Sequence, residues 1–432
     1  MRKLWLVATA LLLVLSLCLG VTAADIEEEI IRGCREEDWI NLREFQISEE
    51  DFEELFFQMR NDGKFPWYVD YSYSYYTDDD GIMTSYKPDV LNPKIYDRLA
   101  YELAVAELIH QVIHPGMTHT QMALAVHDYL ITHCAYDESL EKNTGYDLLI
   151  NGTTICAGYS ELYMDILTRL GIPCVCVESD PMDHAWNLVY LEDSWYHVDV
   201  TWDDPTPNTH GQVEHTYFLL SDAQIRQMED PHYDWVTDKV CDSDRYTDAF
   251  WRDVYAPIWY LDADICILRK ENADYCGTVY TYQESTGKLT KLATNRERYV
   301  SIGYGAYAYW HTGVSIWNDR LYFNDVDTVY STNLQGKDRR KEYSHKTWQE
   351  KSFIIGSFVE NDVLYLSFSD HDFEQVTNRE VALAPSGYHT HSYDTKHMDA
   401  GCETPESTLH YCNCGVEYAQ PIGPGKGHML TE

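Results

Sequence analysis

The chain has 432 residues, 44% of them hydrophobic. That is enough for packed cores in about two to four domains and excludes a disordered polymer. It carries 71 acidic against 32 basic residues, a formal net charge of −39, so phosphate backbones and anionic lipid are repelled and nucleic acid is not an expected partner.

Residues 1–23 have the pattern of a secretory signal peptide. Arg2 and Lys3 form a charged start, Leu4 to Leu19 an apolar run, and Val21-Thr22-Ala23 a small-residue cleavage site. The apolar run leads straight into that site, and no later stretch is apolar enough to cross a bilayer. No stable membrane span is therefore expected after the signal is removed. Export, whether into the medium or onto the cell surface, places the cysteines in an oxidising setting. There are twelve; Cys18 leaves with the signal, and an odd number remains, so at least one is unpaired within the chain.

Residues 25–91 read as a small N-terminal α/β region. DIEEEIIRGC starts one helix. SEEDFEELFFQMRND forms a second, with Ser48 as N-cap and Asp51 three residues on. The alternating aromatic stretch FPWYVDYSYSYY predicts a strand, DDDG at 78–81 a turn, and IMTSYKP a return strand. Residues 92–225 follow as a mixed domain. A helix over 92–114 carries Leu99, Leu103, Ala106 and Ile113 and ends at Pro115-Gly116. A second helix over 118–133 places Met122, Val126, Tyr129 and Leu130 on one side, and a third over 157–170 stops at Gly171-Ile172-Pro173. CVCV (174–177) reads as a buried strand. HAWNLVYL (184–191) and WYHVDVTW (195–202) read as two strands joined by a tight turn, the second broken by Asp203-Asp204-Pro205.

From 250 to 385 helical rhythm gives way to aromatic strands. NDRLYF (318–323) recurs as NDVLYL (361–366), and GTVYTY (277–282) resembles DTVYST (327–332). These are blade-like β units. Only two or three copies are countable and a closed propeller needs at least four, so an open or incomplete assembly is expected. Their many tyrosines and tryptophans read as sheet packing. Residues 388–432 form a short Cys/His-rich C-terminal module.

Cys156 stands just before the third helix of the mixed domain. As a residue type at that place it is half of a bridge, a core thiol or a nucleophile. The nucleophile reading has a physical basis: helix N-termini offer unpaired N–H groups and a positive dipole end, which favour a thiolate. Ala157 and Gly158 are small enough to let a substrate backbone approach, and the N–H of Cys156 can serve as one oxyanion donor. An imidazole and an orienting acceptor are needed beside it. With Leu191 opposite Ser194, His184 and Asp199 become diagonal neighbours on one face of the hairpin. His184 Nδ1–H then donates to Asp199, and Nε2 faces the thiol. Asp199 sits in an otherwise apolar strand and needs a partner.

GTTICAGYSELYMDILTRLGIPC, followed by DHAWNLVYLEDSWYHVDVTWDDP, resembles the core of the transglutaminase-like superfamily, of papain-like fold. VHDYLITHCAYD (126–137) and YFLLSD (217–222) are similar to bacterial, exported members. The resemblance covers residues 92–225 and implies an α+β architecture with Cys156 as nucleophile, His184 as base and acid, and Asp199 as orienting residue. It implies acyl transfer or hydrolysis at amide bonds of proteins or peptides, cell-wall peptide included, with no catalytic cofactor: a cysteine peptidase or protein-glutamine acyltransferase. The family's usual second oxyanion donor has no counterpart that the sequence identifies. The alternative is a catalytically silent surface scaffold that binds through the papain-like core and the β units.

Among the other candidates, Cys174 and Cys176 share one face of an apolar strand as packing thiols, and His127, His133 and His197 read as structural or exposed. Cys34, Cys241, Cys266 and Cys276 are disulfide candidates, Cys266 with Cys276 first. In the tail, His391, Cys402, Cys412 and Cys414 are candidate ligands for a structural zinc, with His428 a fifth.

Overall fold

The structure, a computed structural model, describes residues 23–271, 277–294, 299–303, 306–309, 313–346, 350, 352–370, 375–384, 392–401, 404–413 and 415–422. The chain is a mixture of helices and antiparallel sheets that divides into two compact units: Met1–Arg98 with Cys174–Val177, and Leu99–Pro173 with Glu178–Glu432. No helix among the described residues is long and apolar enough to cross a membrane.

In the first unit, helices Ala23–Glu36 and Glu49–Asn61 accompany an antiparallel sheet of Ile40–Asn41, Met83–Val90 and Val69–Thr77, in that order. Ser48 caps the second helix as expected, its hydroxyl accepting the Asp51 N–H at 3.1 Å. Ile30, Phe52, Phe56, Met59 and Tyr86 form the core.

The second unit begins with the helix Arg98–Val112, six residues later than the sequence suggests. The missing turn is taken by Asn92: its side chain accepts the Lys94 N–H, and its carbonyl those of Ile95 and Tyr96, a local alternative to helix. Helix His119–His133 starts at a capping box of Thr118 and Gln121 and is buried almost all round, His127 and Asp128 included. Gly152, at φ +75°, ends helix Gly145–Asn151 and turns the chain into the strand Thr153–Thr154, which runs parallel to Ala135–Tyr136.

Helix Cys156–Arg169 buries Tyr159, Leu162, Tyr163, Ile166 and Leu167 on its core side. It closes in a Schellman motif, with Gly171 N–H bonded to the Thr168 carbonyl and Ile172 N–H to that of Leu167. The strands His184–Leu191, Ser194–Val198 and Phe218–Leu220 pair antiparallel in that order.

Over 259–382 the chain forms successive antiparallel meanders of four, two, four and three strands. The repeat is physical. Asn318-Asp319 and Asn361-Asp362 each sit at positive φ between paired strands, two-residue hairpins of the kind the right-handed strand twist favours. The related TVY segments both carry a register irregularity at the same place, Val279/Tyr280 and Val329/Tyr330. Cys266 faces Tyr282 across its ladder as a free, buried thiol, and Cys276 lies outside the described residues. Cys34 and Cys241 are also free and buried. A last meander joins Asp394–Met398, Ser407–Tyr411 and Glu417–Pro421. Of the zinc candidates only Cys412, which is buried, lies among the described residues; His391, Cys402, Cys414 and His428 lie outside them.

Candidate active site

The hairpin sets the site. Leu191 pairs with Ser194 and Asn187 with Val198, the register expected from a two-residue turn, and Glu192 and Asp193 both take positive φ. The second strand is shorter than the sequence suggests and stops at Val198. Asp199 ends it by turning its carboxylate back on the chain: Oδ1 accepts the N–H groups of Thr201 and Trp202 at 3.0 and 3.1 Å. Its other oxygen, Oδ2, accepts from His184 Nε2 at 2.6 Å. The ring orientation thus reverses the expected one: Nε2 goes to Asp199, and Nδ1 is left for the thiol.

Cys156 is the first residue of its helix, half-buried, with Ile155 as N-cap and no side chain capping the first turn. Its thiol lies near enough to the His184 ring to favour the ring's charged form. Burial lowers the His184 pKa, but the Asp199 carboxylate, by charge and by hydrogen bond, and then Cys156 outweigh it and raise the value to about 10. Burial likewise opposes the charged form of Asp199, and His184 and His232 overcome it to hold that carboxyl well below the usual range. Trp186 and Trp202 both stack against the His184 ring, with centroids 5.7 and 5.2 Å away, so the imidazole has little freedom to turn.

Gly158 does not open the site to substrate. A Cβ there would lie 2.2 Å from Thr154 Oγ1 and 2.5 Å from the Thr144 carbonyl, so its smallness serves the packing of the helix on the preceding loop.

Cys156 and His184 line a cleft of about 650 Å³. Four residues important to it were missed by sequence reasoning. His232 donates from Nε2 to Asp199 Oδ2 at 2.8 Å and is fully buried. It comes from an irregular segment with no periodic signal, 33 residues beyond Asp199. Tyr136 lines the cleft, and its ionisation is opposed first by burial and next by the charge of Cys156. The parallel pairing of Tyr136 with Thr154 brings it there, and its hydroxyl makes no hydrogen bond among the described residues. Trp202 and Asp204 line the same cleft.

Of the histidines read as structural or exposed, His127 and His197 are buried and paired, and His133 is partly buried with its Nδ1 2.8 Å from the Tyr129 carbonyl. His127 lies between Asp128 and Asp203 at 2.9 and 3.2 Å, and His215 between Asp128 and the Val254 carbonyl at 3.0 and 2.8 Å. His197 accepts from Trp186 Nε1 and bonds Asp222 at 2.8 Å. Three clusters, His184/Asp199/His232, His127/Asp128/His215 and His197/Asp222/Cys241, bring metal-ligand atom types within 4.8 Å. In each, a ring nitrogen and a carboxylate oxygen stand at hydrogen-bond distance from one another.

The family profile of the transglutaminase-like superfamily matches residues 106–200. Kyphoscoliosis peptidase of Homo sapiens and that of Mus musculus are each 29% identical over 116 residues, which covers 22% of this chain and 18% of theirs. The match therefore spans less than a fifth of those relatives. Among solved structures, a TGase is 17% identical with a TM-score of 0.21, covering 30% of this chain and 44% of that one. The β-propeller domain of the Trilobed protease from Pyrococcus furiosus is 10% identical with a TM-score of 0.13, covering 37% and 54%. Likenesses that low carry no argument about the fold or the site. Residues 106–200, which hold Cys156, His184 and Asp199, are a domain of the transglutaminase-like superfamily.

Proposed function

We propose that this domain is a thiol enzyme of amide bonds, with Cys156 as nucleophile, His184 as proton carrier and Asp199 as the group that orients and charges His184. The observation that carries it is a single imidazole bonded to a buried carboxylate at 2.6 Å in the cleft that Cys156 also lines. In the first step the thiol proton passes to His184 Nδ1 and the sulfur bonds to the amide carbonyl carbon. The carbonyl oxygen takes up the negative charge, stabilised by the N–H of Cys156 and the hydroxyl of Tyr136. His184 then gives its proton to the leaving nitrogen, the C–N bond breaks, and a thioester remains. Water or a primary amine, deprotonated by His184, resolves the thioester to acid or to a new amide. Every step is supplied by these side chains, and no cofactor is assigned. The substrate is a protein or peptide, cell-wall peptide included, and the leader pattern of residues 1–23 supports action outside a bacterial cell.

Selective alkylation tests the assignment. Burial pushes the thiols of Cys34, Cys134, Cys241 and Cys266 up, so iodoacetamide should label half-exposed Cys156 before them, and His184→Ala should slow the labelling of Cys156 while leaving theirs unchanged. Incubation with peptide amides, with and without a primary amine, then separates the outcomes. Ammonia release with amine incorporation means transferase, and a cleaved backbone means peptidase. Slow, uniform labelling with no product from a broad peptide panel overturns the enzyme and leaves the scaffold.

A further inference from the structure

The cleft has two chemically distinct linings. Trp202, Ile355 and Val376 supply an apolar wall, the latter two from the strands of the three-stranded meander at 352–382. Asp183, Asp204 and Glu214 supply acidic groups, and no lysine or arginine among the described residues lines the cleft.

Asp204 is the unusual member. It is 95% buried, with 5% relative exposure. Its Oδ2 accepts the Tyr159 hydroxyl at 2.5 Å, while its Oδ1, itself screened from solvent, has no hydrogen-bond partner among the described residues. A buried carboxyl oxygen without a partner is costly and rare. Burial pushes its pKa well above the usual range, against the pull of Tyr159. A cation seated against it would favour the charged form that burial opposes.

The rim that carries these acids is held in place. Asp203 anchors both ends of the segment that follows it: its carbonyl accepts the Glu214 N–H at 3.1 Å and its Oδ1 the Tyr217 N–H at 2.9 Å. Midway, the His210 N–H donates to Ser367 Oγ at 2.9 Å. Gly211 lies so close to the meander that a Cβ there would meet the Ser357 carbonyl at 2.1 Å. Asp204 and Glu214 are therefore carried on a segment anchored to the meander that supplies Ile355 and Val376, and such preorganisation reduces the cost of binding.

A cleft that offers both apolar side chains and carboxyl groups fits a long aliphatic stem with a charged head, the form of arginine and lysine. We infer that the cleft seats a cationic side chain of the peptide substrate, its stem along Trp202, Ile355 and Val376 and its guanidinium or ammonium against Glu214 and Asp204. This rests on the thiol-enzyme reading only for the peptide nature of the ligand.

The test is equilibrium binding to the Cys156→Ala protein, which separates recognition from turnover. The probes are an acetylated, amidated pentapeptide with a central arginine and its citrulline counterpart, nearly equal in shape but different in charge. The arginine peptide should bind at least about tenfold more tightly. Glu214→Gln and Asp204→Asn should each reduce that preference to about threefold or less, with near-UV circular dichroism reporting the fold. Equal affinities, undetectable binding of both peptides, or a preference that survives in a folded Glu214→Gln protein would overturn the inference. Charge-selective binding to a protein whose Cys156 proves inert would sink the enzyme and leave the cationic site standing.

Discussion

Asp199→Asn perturbs the proposed machinery at its most constrained atom group. Four N–H donors converge on that carboxylate, from His184, His232, Thr201 and Trp202. An amide in its place puts an NH2 against donors and removes the charge. The His184 pKa is raised from 6.5 to about 10, a difference worth about 5 kcal/mol in favour of the protonated ring. Without the carboxylate, the main opposition to burial is removed and the ring's pKa falls. The proton that His184 takes from Cys156 is then no longer held. Part of the 5 kcal/mol is recovered by the amide oxygen, so the alkylation of Cys156 by iodoacetamide at pH 6.5 should slow at least about 100-fold. The gap should narrow toward pH 9, where free thiols ionise unaided near 8.5. The assay is peptide mass mapping of Cys156 labelling against time over pH 6–9. A folded Asp199→Asn protein that labels within threefold of the parent at pH 6.5 would refute the role of Asp199.

Three further outcomes are expected. Tyr136→Phe should slow acylation by p-nitrophenyl acetate about 100-fold and leave iodoacetamide labelling unchanged, because alkylation develops no oxyanion; equal losses in both would mean that Tyr136 acts on the thiol instead. Stability should fall on the alkaline side. Burial lowers the His127 pKa, but Asp128 and Asp203 outweigh it and raise the value to about 9 against 6.5 unfolded. That contribution is fully present below pH 6.5 and lost as pH rises through 9, so urea midpoints should drop over that window and drop less in His127→Gln; a flat profile in the parent refutes it. Gly158→Ala should destabilise by about 2–3 kcal/mol, since its Cβ collides with Thr154 and the Thr144 carbonyl, and an unchanged melting temperature would show that the helix can move away.

What could be read in advance was local. The turn Glu192-Asp193 sets the register that makes His184 and Asp199 neighbours, and register follows from turn length. The Asn-Asp pairs of the β units announce their hairpins for the same reason. The ring orientation of His184 could not be read, because it depends on where Asp199 lies once the strand has ended, and the strand ends early through hydrogen bonds to Asp199 itself. His232 carries no local signature; only the folded chain returns it to Asp199. Pairing between Ala135–Tyr136 and Thr153–Thr154 involves two residues on each side, too short for any periodicity. The histidines at 127 and 197 looked ordinary because their partners, Asp203 and Asp222, are distant in sequence.

The segment DVTWDDP places three carboxylates within six residues and gives each a different environment. Asp199 receives four N–H groups and is held ionised beside His184. Asp203 takes a histidine on one oxygen and a backbone N–H on the other, and so joins the long helix to the cleft rim. Asp204 receives one hydroxyl, keeps one oxygen without a partner and is driven toward its neutral form. A buried carboxylate costs several kcal/mol unless its lone pairs are satisfied. Packing alone would favour an apolar residue at 204, since replacing a poorly satisfied buried polar group is commonly stabilising. Asp199 and Asp203 repay their burial through hydrogen bonds inside the protein; Asp204 does not, and it lines the same cleft as Cys156. A cation that enters the cleft would favour the charged form of Asp204 and supply part of that compensation. Asp204→Asn should accordingly leave the melting temperature unchanged or higher while weakening the arginine peptide, and a large loss of stability would mean that Asp204 serves the fold.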